Sequence, residues 1–218
     1  PALEDVGVQF AQDVAPFELM KIRILNGGHA AIAYPAALLD IHFVHEAMAH
    51  DLLRGFLRKL EREEIIPVVP PVPRTDLDAY YKEVERRFAN PRIGDTITRL
   101  CLDGSNRQPK FILPSAVDRL AQGRGVAGLA LVSALWARYC FGETDTGRPI
   151  APNDPVWDRL QVQARRARAH PTAWLEMTDI FGGLAADPAY AGAFTQALET
   201  LWSVGTRETL ARYLEERL

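Results

Sequence analysis

The sequence predicts an all-α domain of roughly eight to ten helices. Three observations carry this reading. Apolar residues recur at helical spacing along most of the chain. Proline and glycine pairs punctuate it at helix-length intervals. One short stretch, 6–10, alternates with strand period, so the parallel sheet of a dinucleotide-binding fold is not expected here.

Taken in order, residues 1–15 read as a linker or short strand and residues 16–218 as the helical domain. Pro16 suits a first helical turn, and the helix it opens runs to about Leu39-Asp40. Phe43 to Glu64 reads as a second long helix, with Val44, Met48, Leu52, Phe56 and Leu60 near helical spacing. Pro67-Val68-Val69-Pro70-Pro71-Val72-Pro73 must run extended. Thr75 is the expected cap of a helix to about Ala89. Asn90-Pro91 breaks the chain before a short helix from Asp95 to Leu100. A helix to Ala121 follows Pro114-Ser115, then a turn over 123–125. Val126 to Phe141 is the most apolar helix and the expected centre of the core. The loop 142–155 leads to an amphipathic helix from Trp157 to His170. Another helix is expected from Pro171-Thr172 to Gly182-Gly183, and the next from Asp187-Pro188 to about Val204. Gly205 breaks it, and Thr206 is the expected cap of the last helix.

Bulk properties narrow the function. The 218 residues suffice for one domain with a sizeable core, and the formal charge of −3 gives no electrostatic case for nucleic acid. Cys101 and Cys140 form no disulfide framework and read as reduced thiols of a cytoplasmic protein. No apolar run reaches the roughly 20 residues of a membrane helix. The start, Pro1-Ala2-Leu3-Glu4-Asp5, has no signal-peptide pattern and no initiator Met, as expected of part of a longer chain.

The stretch Glu18 to His29 has the skeleton E-x2-K-x4-N-x2-H. On a regular helix with Lys21 at zero, Asn26 lies near about 140°, His29 near about 80° and Glu18 near about −60°. An amine, an amide and an imidazole then share one sector. Gly27-Gly28 removes side-chain bulk beside them, which we expect to let a ligand approach.

This run, with its flanks Asp13 to Phe17, Ala33-Tyr34 and Val44 to Ala47, resembles the signature of the mannitol dehydrogenase family of long-chain polyol dehydrogenases. Arg99 to Phe111 also resembles that family. The resemblance covers essentially the whole chain and corresponds to the family's C-terminal half. It implies a fold like the C-terminal domain of 6-phosphogluconate dehydrogenase. It also implies a preceding Rossmann domain in the same chain that binds most of the NAD, so these residues would be inactive alone. The substrate implied is a sugar alcohol or ketose, and the enzyme a monomer.

Oxidising a secondary alcohol requires a base for the hydroxyl proton and donors for the oxygen as charge builds. Without a metal, Lys21 is the candidate base. A lysine ordinarily titrates near 10.4, and lowering that by about 3 units takes about 4 kcal/mol, which partial burial and a nicotinamide cation would both favour. Asn26 and His29 would hold the oxygen, and the resemblance makes them, with Lys21, the catalytic set. Glu18 is assigned as a gate or proton relay, with a favourable interaction at the helix N-terminus as the plainer alternative. By resemblance, Arg99 and Arg107 bind substrate hydroxyls, with Asn106 and Lys110 beside them; surface charge or capping is the alternative for all four. A hexuronate oxidoreductase of fructuronate-reductase type is the neighbouring alternative, and a non-catalytic helical binding module the alternative of another class.

Three further patterns are declined. Gly123-Arg124-Gly125-Val126-Ala127-Gly128 spells G-x-G-x-x-G, but the preceding residues read as helix, not strand. His45 and His50 are five apart and diverge by about 140°, so they cannot share a metal; His42 and His45 lack further ligands, and no metal is expected. Arg165, Arg166 and Arg168 read as a solvated helix face.

Overall fold

The computed structural model describes residues 2–8 and 10–218. Part of the 6–10 stretch, Gln9, lies outside the described residues; Leu3–Val6 is a turn of 3-10 helix. Among the described residues there is no strand, and β pairing is limited to the isolated bridges Phe43–Thr96 and Glu143–Pro149. The all-α reading therefore holds.

Helix α1 (Ala15–Met20) starts where Asp13 Oδ1 accepts the Ala15 N–H at 2.9 Å. It does not continue as a regular α-helix. Lys21–Asn26 is a π-helical turn, in which the Gly27 N–H reaches back to the Ile22 carbonyl, and α2 (Gly27–Leu38) follows without interruption. The wider turn changes the expected geometry. Five residues now make a little more than one turn, so Asn26 falls closer to the line of Lys21 than the about 140° of a regular helix. Three α-helical steps then place His29 about 60° back from Asn26, towards the line of Lys21, so the three positions share a narrower sector than a uniform helix gives. Arg23 fixes this turn from behind: buried, it donates to Ser115 Oγ at 2.7 Å and to Asp118 Oδ2 at 2.8 Å.

The long helix expected from Phe43 is broken. Helices α3 (Val44–Ala49) and α4 (Asp51–Lys59) meet at His50, whose ψ of 114° is extended. A second π turn, Leu60–Ile65, follows. The proline-rich connector opens with a 3-10 turn, Ile66–Val68, before it extends. Helix α5 (Leu77–Phe88) is capped by Asp76, which accepts the Asp78 and Ala79 N–H groups, and not by Thr75. Thr96 caps α6 (Ile97–Leu100). Helix α7 (Gly104–Phe111) was not expected, because Asp103 at φ 61° and Pro109 both disguise it. Helices α8 (Leu113–Ala121), α9 (Ala127–Cys140) and α10 (Trp157–Ala169) match the expected spans closely.

The single helix expected over 171–182 is three short pieces: a 3-10 helix Pro171–Glu176, α11 (Thr178–Phe181) and a 3-10 helix Gly182–Ala186. Met177, at ψ 71°, interrupts the first turn sequence. Helix α12 (Pro188–Leu214) kinks at Gly205, whose φ of 78° suits glycine. The cap after the kink is not Thr206. Asp145 Oδ2, from the loop after α9, accepts the Thr206 N–H at 2.7 Å.

Helix α9 is buried on nearly every side, with α12 lying along it. Trp136 meets Trp174 edge-on at 4.8 Å, and Ser133 shares a 2.7 Å hydrogen bond with Tyr190. The G-x-G-x-x-G run lies between α8 and α9, two helices. The N-terminus of α9 is already occupied: Glu64 accepts the Gly128 and Leu129 N–H groups at 2.7 and 3.0 Å. A phosphate would meet a carboxylate there.

Gly27 and Gly28 serve packing and not ligand approach, contrary to expectation. A Cβ at Gly27 would lie 3.2 Å from the Phe111 carbonyl, and one at Gly28 would lie 3.1 Å from Glu61 Oε1. Glu61 is fully buried, and neither carboxylate oxygen has a hydrogen-bond partner among the described residues. Burial therefore pushes its pKa well above the usual carboxylate range. The folded state then binds more protons than the unfolded one above pH 4.5, so Glu61 costs increasing stability as pH rises from there towards its folded pKa. Glu61→Gln keeps the shape without the ionisation. The expected result is a melting temperature nearer to or above wild type at pH 8 than at pH 4, each kcal/mol being worth about 2–4 °C. A difference in melting temperature that does not change with pH would contradict the buried-acid assignment.

Candidate active site

A cleft of about 170 Å³ opens beside the start of α2, smaller than the about 300–1,000 Å³ usual for ligand sites. Asn26 and His29 line it from the π turn and α2, Arg99 from α6, and Arg107 from α7; Ala30, Leu100 and Phe111 supply the apolar wall. Residues from two separate stretches of sequence thus converge on one space.

His29 is held flat against Phe88, the last residue of α5, with ring centroids 4.0 Å apart and planes 11° apart. Burial lowers its pKa to about 4; Asp95 opposes this, and Arg99 and Arg107 reinforce it. The imidazole is therefore neutral near pH 7, with one N–H to donate and one nitrogen to accept. His29 also faces a second cleft, where Leu25, Val44, Val84, Phe88 and Ile93 are joined by His45, Arg87 and Asp95.

Asp95 binds Arg99 through both oxygens. Arg99 Nε donates to Oδ1 at 2.5 Å and Nη2 donates to Oδ2. The guanidinium holds the Asp95 carboxyl below its usual range. Arg107 Nη1 donates to the Leu100 carbonyl at 2.9 Å, which ties α7 to the end of α6.

Not every expected residue joins this cleft. Asn106 and Lys110 point to the other side of α7 and line a separate depression with Ser105, Pro155, Arg159 and Asp179. Asn106 Nδ2 donates to Asp103 Oδ1 at 2.6 Å, a local turn contact. Lys21 lies one wide turn before Asn26 and is exposed, as is Glu18, so the described residues do not supply the partial burial expected of Lys21. Arg166 pairs with Glu176 at 2.9 Å, and Arg168 covers the Trp202 ring at 4.8 Å. Among the described residues no group of three or more His, Cys, Asp or Glu side chains could hold a metal ion.

The sequence reading missed Asp95, Phe88 and Phe111. Asp95 and Arg99 stand at i,i+4 on either side of a helix start, a spacing that marks an ion pair and could have identified Asp95. Nothing in the local sequence links Phe88 to His29, 59 positions earlier.

Residues 13–202 match the family model described as the mannitol dehydrogenase C-terminal domain. A mannitol 2-dehydrogenase of Cereibacter sphaeroides is 58% identical over 98% of this chain and 45% of its own length. One from Aspergillus fumigatus is 36% identical over 98% of this chain and 43% of its own length. The Pseudomonas fluorescens mannitol 2-dehydrogenase, solved as a ternary complex with NAD and D-mannitol, superposes with a TM-score of 0.93 at 35% identity, over 99% of this chain and 44% of that one. A substrate-free D-sorbitol dehydrogenase shares the fold, with a TM-score of 0.87 at 22% identity over 96% of this chain and 43% of that one. The chain spans less than half the length of each of these relatives. By its sequence and its fold, the chain belongs to the mannitol dehydrogenase family and matches that family's C-terminal domain.

Proposed function

We propose that these residues form the substrate-binding and catalytic half of an NAD-dependent polyol 2-dehydrogenase that interconverts a sugar alcohol and a ketose of the mannitol–fructose type. The observation that carries this reading is the convergence of Asn26, His29, Arg99 and Arg107 on one cleft. The relatives named mannitol 2-dehydrogenase and the complex with NAD and D-mannitol support it.

The described residues do not fit a dinucleotide's phosphates: there is no sheet, and the glycine-rich turn ends at a helix terminus already filled by Glu64. The cofactor is therefore assigned to the rest of a longer chain. Bound there, nicotinamide supplies the hydride acceptor. The residues here handle the oxygen and its proton. Lys21 takes the hydroxyl proton as general base. The Asn26 amide and the neutral His29 N–H hold the oxygen while it carries charge. Arg99 and Arg107 donate to the remaining hydroxyls, and Glu18 passes the proton between Lys21 and water. Covering of the exposed Lys21 falls to the nucleotide-binding half, which makes the closed two-domain enzyme the active state. The chemistry calls on no metal.

The test is an assay of the full-length enzyme with NAD and mannitol before and after exhaustive chelation, beside the 218 residues alone. Full-length activity should survive chelation, and the shorter chain should show neither turnover nor micromolar NAD binding. Activity lost on chelation and restored by zinc would refute the lysine-base reading. Tight NAD binding by the short chain would refute the division of labour.

A further inference from the structure

We propose that Asp95 is a specificity-determining residue: by occupying the fork of Arg99 it fits the cleft to uncharged polyhydroxy substrates and disfavours sugar acids. The inference rests on the polyol dehydrogenase reading above and deepens it.

Arg99 is the natural clamp for a substrate carboxylate, because a guanidinium matches a carboxylate through two parallel N–H donors. Here that fork already holds one. Nε and Nη2 of Arg99 both donate to Asp95. The acid cannot easily swing aside. Its Oδ1 also accepts the Thr96 N–H at 2.9 Å, and its own carbonyl accepts the Val44 N–H at 3.0 Å. Next to it, the Ile97 N–H donates to the His42 carbonyl at 2.9 Å. The loop before α6 is thereby stapled to the segment before α3. The Asp95 side chain is only 16% exposed, whereas that of Arg99 is 52% exposed; Arg99 lines the cleft with Asn26 and His29, and Asp95 lines the adjoining one.

Two consequences follow for a ligand. The guanidinium has five N–H donors, and two face Asp95. The others remain for neutral hydroxyl oxygens, which need single donors and no compensating charge. A substrate carboxylate would have to share Arg99 with Asp95, and like charges on one cation repel. Arg107 offers one further positive charge, but one of its nitrogens is committed to the Leu100 carbonyl. The neutral His29 adds none. Removing the Asp95 charge lifts that repulsion and frees one of the two Arg99 donors it holds for a substrate carboxylate.

The experiment uses the full-length enzyme and two substrate pairs: mannitol with fructose, and mannonate with fructuronate. In Asp95→Asn, the ratio of kcat/KM for the acid pair over the polyol pair should rise at least tenfold, and the gain should shrink as salt is raised. Adding Arg99→Gln to Asp95→Asn should abolish the gain, because the freed cation is what the acid uses. Circular dichroism and melting curves check folding, and Asp95→Glu, which keeps the charge, should retain the polyol preference if the loop tolerates it. If wild type oxidises mannitol and Asp95→Asn leaves the ratio unchanged, the specificity role is wrong and the polyol reading stands. If wild type prefers the acid pair, both fall together.

Discussion

Replacing Lys21 by alanine in the full-length enzyme should lower kcat for polyol oxidation by about 10²–10⁴-fold, the usual cost of a lost general base. NAD binding should barely change, because the role proposed for Lys21 is on the substrate and not on the cofactor. The geometry sharpens this expectation. The π turn from Lys21 to Asn26 brings the two positions closer to one line along the helix than a regular α-helix does, as the proposed action of base and donor on one oxygen requires. Groups that act on one atom are not additive: Asn26→Ala combined with Lys21→Ala should cost far less than the product of the two. Small primary amines in solution should restore part of the Lys21→Ala rate, since the space vacated by the side chain can admit a small base. Glu18→Gln should alter the pH dependence of turnover more than the substrate KM. A Lys21→Ala enzyme with normal kcat and only a raised KM would make Lys21 a binding residue. Free replacement of Lys21, Asn26 and His29 together would favour a non-catalytic helical module.

Much of this arrangement was legible in the sequence, and the exceptions share a cause. Helix α9 and the Gly205 kink follow from local pattern, a long apolar run and a glycine at positive φ. The K-x4-N-x2-H spacing pointed to one sector of a helix, and Asn26 and His29 do line one cleft. What it could not reveal is that the helix widens there, because a π turn depends on packing: Arg23 is drawn to Ser115 and Asp118 on α8, more than 90 residues away. Glu61 and Glu64 illustrate the same limit. In sequence, Glu61-Arg62-Glu63-Glu64 looks like an ordinary solvated helix face. In the fold, Glu61 is buried under Gly28, and Glu64 caps α9. Asp145 capping the helix after Gly205 is another long-range contact that displaced a plausible local cap. The basic segment divided for a local reason: on α7, Arg107 faces the cleft while Asn106 and Lys110 face away. That division required knowing that 104–111 is a helix.

His29→Ala should reduce kcat by about 10²–10³-fold, as for one lost donor to a developing oxyanion. The stronger test uses pH, because two properties of His29 arise from one environment. Burial, in a place where the ring stacks on Phe88, brings the pKa down to about 4, against 6.5 for a free imidazole. The groups around it divide: Asp95 alone favours the charged form, while Arg99 and Arg107 oppose it, with His45 and Arg87 lining the same second cleft. In the folded enzyme the ring is then neutral at every working pH, and turnover should show no loss attributable to His29 between pH 8 and pH 5. Stability behaves differently. Between pH 6.5 and about 4 the unfolded chain binds a proton at this position that the folded chain does not, so stability is full above 6.5 and falls as pH drops through that window. The contribution is about 3 kcal/mol in all. His29→Gln retains an N–H donor but cannot titrate. It should recover part of the turnover lost in His29→Ala, and its stability should fall less steeply than wild type between pH 6.5 and 4 in denaturant titrations. Parallel stability profiles for wild type and His29→Gln would show that the ring is not held neutral by the fold, and its role as a neutral donor would fail with it.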